Sequence, residues 1–178
     1  MQRKHLQFQQ YLFHDIQDED KAEEYIERIL PMIGLIVMYF NGLESNLDSM
    51  LCEIFTDRTD STGLIVLNTM NFSSKIELFK KFSDDFHLSF GKIINDYDAL
   101  INNLKESARL RNLVVHANWE STNEEGYTYI RLKMSKEGML QEYIQFSEKS
   151  LMDIIELIIT TRVKLDEYWQ ERSEVLCF

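Results

Sequence analysis

Cysteine, proline and glycine are all scarce in this chain. Its 178 residues include two cysteines, Cys52 and Cys177. That spacing excludes a disulfide framework and a clustered metal site. Cys52 lies in an apolar run and reads as a small buried hydrophobe. One proline and six glycines argue against a turn-rich β protein and for long helices. Positive charge is scarce too: 19 Lys and Arg face 30 Asp and Glu, a net charge of −11. Such a chain repels nucleic acid on average, so any RNA contact needs a local basic patch. The longest apolar run, MIGLIVMYF from Met32 to Phe40, is too short to span a bilayer. A secretory leader pattern is missing, which makes a reducing cytoplasmic setting without membrane contact the expectation. HExxH, clustered Cys/His, a phosphate-binding loop and a dinucleotide fingerprint are also missing, so neither a metal nor a cofactor is expected.

What is there is helical periodicity. The length suggests a single domain over residues 1–178. From Asp20 to Phe55 apolar residues recur every three or four positions. Pro31 falls inside that run, where it either kinks the helix or begins a second one. Asp57 to Ser61 reads as a loop, and Gly63 to Met70 as a short helix. Ser74-Lys75-Ile76-Glu77 has the form of a capping box, with a helix to about Asp84 facing Ile76, Phe79 and Phe82 inward. His87 to Gly91 closes that segment, and another helix follows from about Lys92. Beyond Trp119, YTYIRLKM and MLQEYIQF alternate around SKEG, a β-hairpin over about 127–146. Ser147 is placed to cap a final helix from Glu148 to about Arg172. Residues 1–19 are polar and aromatic, an arm or a short helix. The expected fold is mainly α: a helical bundle of four to five helices with one β-hairpin inserted before the last long helix.

The helix preceding the hairpin carries polar groups that its packing does not call for. At about 100° per residue, Ile93, Tyr97, Leu100, Leu104, Ala108 and Val115 share one sector about 80° wide. Arg111 falls in the same sector, where a charge is costly unless paired. Asp98, Asn102, Lys105, Arg109, Asn112 and His116 form a second, mostly basic stripe. Asn112 and His116 are i,i+4 neighbours. Arg111 and His116 lie about 140° apart on an ideal helix, so a bent helix end or a second copy is needed for them to act on one group.

Arg111-Asn112-Leu113-Val114-Val115-His116 resembles the Arg–polar–x–x–x–His signature of the HEPN superfamily, named for higher eukaryote and prokaryote nucleotide binding. The order of FNGLESNLDSML, SSKIELFKKF and LKESARLRNLVVHANW is similar to that of bacterial HEPN proteins, over roughly Ile33 to Trp119 plus a closing helix. The resemblance implies a metal-independent endoribonuclease, a toxin or phage-defence effector with RNA as substrate. It also implies a homodimer with two motifs facing one cleft, and an antitoxin or defence-system partner protein. Arg111 would hold the phosphate, as a planar guanidinium suits it. His116 would be the general acid or base, a role suited to imidazole chemistry near neutral pH. Asn112 would orient the histidine or a phosphate oxygen. Lys105, Arg109 and Asn102 on the basic stripe are the candidate substrate-binding residues, and Glu44 a supporting partner of the motif. In toxins paired with a nucleotidyltransferase antitoxin the signature continues His-x-Tyr. Ala117 and Asn118 follow here, which does not support tyrosine adenylylation at that position.

A plainer reading stands beside this one. Arg111 would pair with a buried carboxylate, His116 would cap helix carbonyls, and the chain would be a non-catalytic HEPN-like protein-interaction or nucleotide-binding module. The acidic net charge favours that module, since phosphate contacts dominate RNA affinity. Trp119 reads as core or interface rather than a base-stacking platform. Arg131, Lys133 and Lys136 read as a solvated strand face, and His5, His14 and His87 as surface or packing residues.

Overall fold

The alternating segments beyond Trp119 form the expected hairpin, and the chain's first residues add to it. In the computed structural model, which describes residues 1–11, 14–55, 61–136 and 138–176, the elements in chain order are β1 (Arg3–Gln7), α1 (Glu19–Phe55), α2 (Ser61–Leu67), α3 (Phe72–Phe90), α4 (Tyr97–Val115), β2 (Tyr127–Ser135), β3 (Gly138–Gln145) and α5 (Glu148–Leu176). A short 3-10 turn, Trp119–Ser121, lies between α4 and β2. The protein is mainly α, and its described residues form five helices and a small antiparallel sheet before the last long helix. The opening residues, which the sequence presents as an arm or a short helix, supply a strand instead. β1 pairs with β3, giving the order β1-β3-β2. The partly apolar alternation of RKHLQ matches the partner edge that β3 offers.

The chain packs as two compact units. The first comprises Met1–Val37 with Leu110–Ile155, and the second Met38–Arg109 with Glu156–Phe178. In the first, β3 carries Tyr143 and Ile144, Phe146 follows it directly, and Tyr25, Ile29 and Val114 are also buried. Tyr25 donates its hydroxyl to the Phe146 carbonyl at 2.7 Å. Gly126, at φ 83°, lies under that phenol, where a Cβ would collide with the Tyr25 oxygen. Both the left-handed backbone and the close approach therefore require glycine. Glu142 is buried on β3 and faces Arg131 at 2.6 Å, Arg3 at 3.2 Å and His5 at 3.7 Å. Burial pushes its carboxyl up, but the Arg131 hydrogen bond and the charges of Arg131, Arg3 and His5 hold it below the usual carboxylate value.

In the second unit α1 contributes Phe40, Leu43, Leu47, Leu51 and Cys52 to the core, α3 contributes Phe72, Ile76 and Phe79, and α5 contributes Ile158, Leu165 and Tyr168. Phe79 meets Tyr168 edge-on, with ring centroids 5.3 Å apart. His87 is buried against the Tyr97 ring at 4.7 Å, a packing histidine, and desolvation lowers the pKa of its imidazole.

Several boundaries differ from the sequence pattern. α3 begins at Phe72 because Asn71, rather than Ser74, caps it: the Asn71 side chain accepts the Ser74 N–H at 2.9 Å. It continues past Asp84 to Phe90 and ends on Gly91 in the left-handed conformation, φ 63°. α4 starts at Tyr97 instead of Lys92, since Asp96 adopts φ 58° and interrupts any earlier helix. Ile94 is consequently buried and Ile93 exposed. α1 continues through Pro31, which lies on an exposed face where the missing N–H leaves a carbonyl to water. Over Glu19–Ile54 α1 is long and apolar enough to cross a membrane by length and composition alone, more than the run Met32 to Phe40 suggests. Ser147 does cap α5, accepting the Ser150 N–H at 3.1 Å. Residues 57–60 of the expected loop, Glu137 of the expected hairpin turn, and Cys177 lie outside the described residues.

Candidate active site

The end of α4 presents the motif within the first unit. Leu110 and Val114 are the buried residues of this last stretch. Arg111 is half-buried, while Asn112, Val115 and His116 are exposed. The core stripe read from the sequence thus holds at Tyr97, Leu100, Leu104 and Ala108 but not at Val115. Arg111 donates from Nη1 to Asn112 Oδ1 at 3.0 Å. Its Nε stays buried, so the guanidinium spans from the interior to the exposed Asn112 side chain. The His116 N–H donates to the Asn112 carbonyl at 3.0 Å, so helical bonding extends one residue past Val115. The His116 imidazole makes no hydrogen bond or ion pair among the described residues, which leaves its ring nitrogens available.

The chain beyond the motif is tied down. Trp119 donates its indole N–H to the Val114 carbonyl at 2.9 Å, satisfying an open carbonyl of the last helical turn. Its ring packs on Phe146 at 4.9 Å between centroids. Asn118 bridges to Tyr129, and Ser121 accepts the Tyr129 N–H at 3.0 Å. Trp119 is therefore a packing residue that anchors the motif's end of α4 to the sheet, as its apolar neighbours suggest.

The other candidate residues belong to the second unit, and most of their charge is already matched. Lys105 pairs with Glu77 at 2.7 Å. Arg109 makes two hydrogen bonds to Glu106, each 2.7 Å. Those hydrogen bonds raise the Arg109 pKa and lower that of Glu106. Asn102 is exposed. Glu44 accepts from Lys75 Nζ at 2.8 Å, and Asp48 accepts from the same amine at 2.8 Å.

This Lys75 cluster is what the sequence reading missed. Lys75 is a buried lysine held between two carboxylates. Burial pulls its pKa down, yet the hydrogen bonds to Asp48 and Glu44 together raise it above the ordinary lysine value. A signal existed. Lys75 sits on the apolar stripe of Phe72, Ile76 and Phe79, while Glu44 and Asp48 are i,i+4 neighbours beside buried Leu43 and Leu47. A charge on an apolar stripe calls for an opposite charge facing it. The hairpin cations behave as a solvated face: Arg131, Lys133 and Lys136 are exposed, and Arg131 serves Glu142. Among the described residues, no group of three or more His, Cys, Asp or Glu side chains is placed to hold a metal ion.

Against known proteins, no family model matches the chain, and neither a curated protein nor a solved structure matches it.

Proposed function

We propose that this protein is a metal-independent endoribonuclease of the HEPN type, a toxin or phage-defence effector that acts in the cytoplasm as a homodimer. One observation carries the reading: the His116 imidazole is exposed and, among the described residues, uncommitted, one helical turn from Asn112, the residue that accepts a hydrogen bond from Arg111 Nη1. The alternative in which His116 caps helix carbonyls has no such bond to support it; Trp119 takes the Val114 carbonyl instead. In the proposed reaction the ribose 2′-oxygen attacks phosphorus and loses its proton to a His116 imidazole. The P–O5′ bond breaks, and the imidazolium so formed protonates the leaving 5′-oxygen. Arg111 offsets the charge that builds on the phosphoryl oxygens. The products are a 2′,3′-cyclic phosphate and a 5′-hydroxyl.

Dimerisation is supported by exposed apolar residues within each unit, Leu30 and Met152 in the first and Met38, Ile159 and Val163 in the second. A shared cleft makes a specific test possible. Arg111→Ala and His116→Ala proteins, each inactive alone, are mixed and allowed to exchange subunits. If an arginine and a histidine from different chains act together, mixing restores about a quarter of wild-type cleavage, as half the dimers then hold one intact composite site. No recovery despite verified exchange would contradict the shared cleft.

A second reading draws support from the charge pairing: Lys105 and Arg109 already face Glu77 and Glu106. It makes the chain a non-catalytic protein-interaction or nucleotide-binding module, with an antitoxin or defence protein as partner. In that case wild-type protein leaves every RNA intact.

A further inference from the structure

A pocket of about 550 Å³ lies in the first unit between the start of α1 and the 3-10 turn, and the described residues that line it do not include Arg111, Asn112 or His116. Its size suits a small organic ligand. Ile16, Ala22 and Ile26 line it with apolar surface, and the Trp119 indole adds an aromatic wall. Thr122 also lines it, but its hydroxyl is engaged with Thr128 at 2.8 Å. The remaining polar groups are all carboxylates: Glu19 and Glu23 from α1, and Glu120 from the turn.

These three carboxylates have no hydrogen bond or ion pair among the described residues. The cations nearest in sequence are committed elsewhere, Lys21 to Asp18 at 2.6 Å and Arg28 to Glu148 at 2.6 Å. Glu19 and Glu23 are also an i,i+4 pair of like charge, which works against the helix. Helix stability therefore does not account for Glu23. An apolar cavity with an aromatic wall and an unneutralised acidic rim is complementary to one ligand class. Apolar surface accepts the body, and the indole and carboxylates attract a positive head.

We propose that this pocket binds a small amphipathic organic cation, a protonated or quaternary amine carried on an apolar body. Such a ligand would also touch the residue that closes the end of α4, since Trp119 holds the Val114 carbonyl. The site does not depend on the ribonuclease reading.

The test is isothermal titration calorimetry of the full chain with benzyltrimethylammonium, against benzyl alcohol as the neutral comparison. The expected result is one saturable site with Kd on the order of 0.1–1 mM, at least about tenfold weaker binding of the alcohol, and weakening in high salt. Glu23→Gln and Glu120→Gln alter exposed side chains and should retain the native circular dichroism. Each is expected to weaken the cation at least about threefold. Ala22→Met, which fills the cavity, should abolish the site. Absence of saturable heat up to about 10 mM, equal affinity for the alcohol, or unchanged affinity in both glutamine variants would each overturn the proposal.

Discussion

Arg111 donates a hydrogen bond to Asn112, its neighbour in the chain, at 3.0 Å. This contact draws the Nη1 end of the guanidinium towards the exposed face that also carries His116. Asn112 is thus a positioning residue for Arg111. Asn112→Ala is expected to reduce RNA cleavage about 10- to 100-fold, the scale on which a small misplacement of a catalytic group acts. Because Asn112 is exposed, the thermal midpoint should move by no more than about 2 °C. Cleavage kinetics and thermal unfolding measured on one preparation check both halves.

Lys75 is buried while the two carboxylates that grip it keep partial access to water. Removing the amine leaves Glu44 and Asp48 in mutual repulsion. Lys75→Met should cost about 2–4 kcal/mol of stability, in the range for breaking a largely buried pair. Restoring neutrality with Glu44→Gln and Asp48→Asn in the same chain should recover a large part of that loss. The pH dependence follows from the raised lysine pKa. A group whose folded pKa lies above its unfolded value stabilises fully below the unfolded value, and loses that effect as pH rises through the folded one. The Lys75 contribution is therefore constant through neutral pH and disappears only in strong alkali. Urea unfolding at pH 7 and pH 11 measures it.

Glu142 has the opposite sign. Its carboxyl is held below the usual value by the Arg131 hydrogen bond and by the surrounding positive charge, against the upward push of burial. Its contribution is present above the unfolded carboxylate pKa and is lost as pH falls through the lower folded value. Arg131→Gln removes the 2.6 Å partner. It should destabilise by about 1 kcal/mol at pH 7 and shift the acid loss of stability to higher pH. Denaturant midpoints taken from pH 7 down to pH 3 follow both effects.

Gly126 cannot accept a side chain, for two reasons that add. Its φ of 83° strains any L residue, and a Cβ would strike the Tyr25 hydroxyl that bonds to Phe146. Gly126→Ala should cost about 2–4 kcal/mol. Tyr25→Phe, which loses the hydroxyl and its hydrogen bond, should cost about 1 kcal/mol alone. In the double variant the phenylalanine relieves part of the clash, so the two losses should sum to more than the measured total. Chemical unfolding of the three variants completes the cycle.

Patterns with a fixed period were the legible part of this fold. The hairpin, the long first helix and the Ser147 cap follow from alternation, from three-four spacing and from one side-chain oxygen at a chain entry. Boundaries set by a single backbone conformation were not legible. Asp adopts a left-handed φ more readily than most residues, but residue type alone does not say that Asp96 does, and Asn and Ser are comparable caps, so the use of Asn71 shows only in the fold. β1 was hidden because a short edge strand is defined by its partner, here β3, rather than by its own pattern. At the candidate site, the i,i+4 relation of Asn112 and His116 was readable, and so was Trp119 as a packing residue rather than a stacking platform, but not its bond to the Val114 carbonyl. The neutralisation of Lys105 by Glu77 was not, because that glutamate comes from another helix. The Lys75 cluster was readable in principle, from a lysine on an apolar stripe, but the Ser74–Glu77 spacing suggested a cap first.

Incubation of a 5′-labelled RNA with pure protein in excess EDTA, with end-group analysis of the products, bears most directly on the role of Arg111 and His116. Wild-type protein should release fragments ending in a 2′,3′-cyclic phosphate. His116→Ala and Arg111→Ala should each cut at least about 100-fold more slowly while keeping the wild-type circular dichroism. Intact RNA with wild-type protein across structured and unstructured substrates, or undiminished cleavage by His116→Ala, would contradict the ribonuclease assignment.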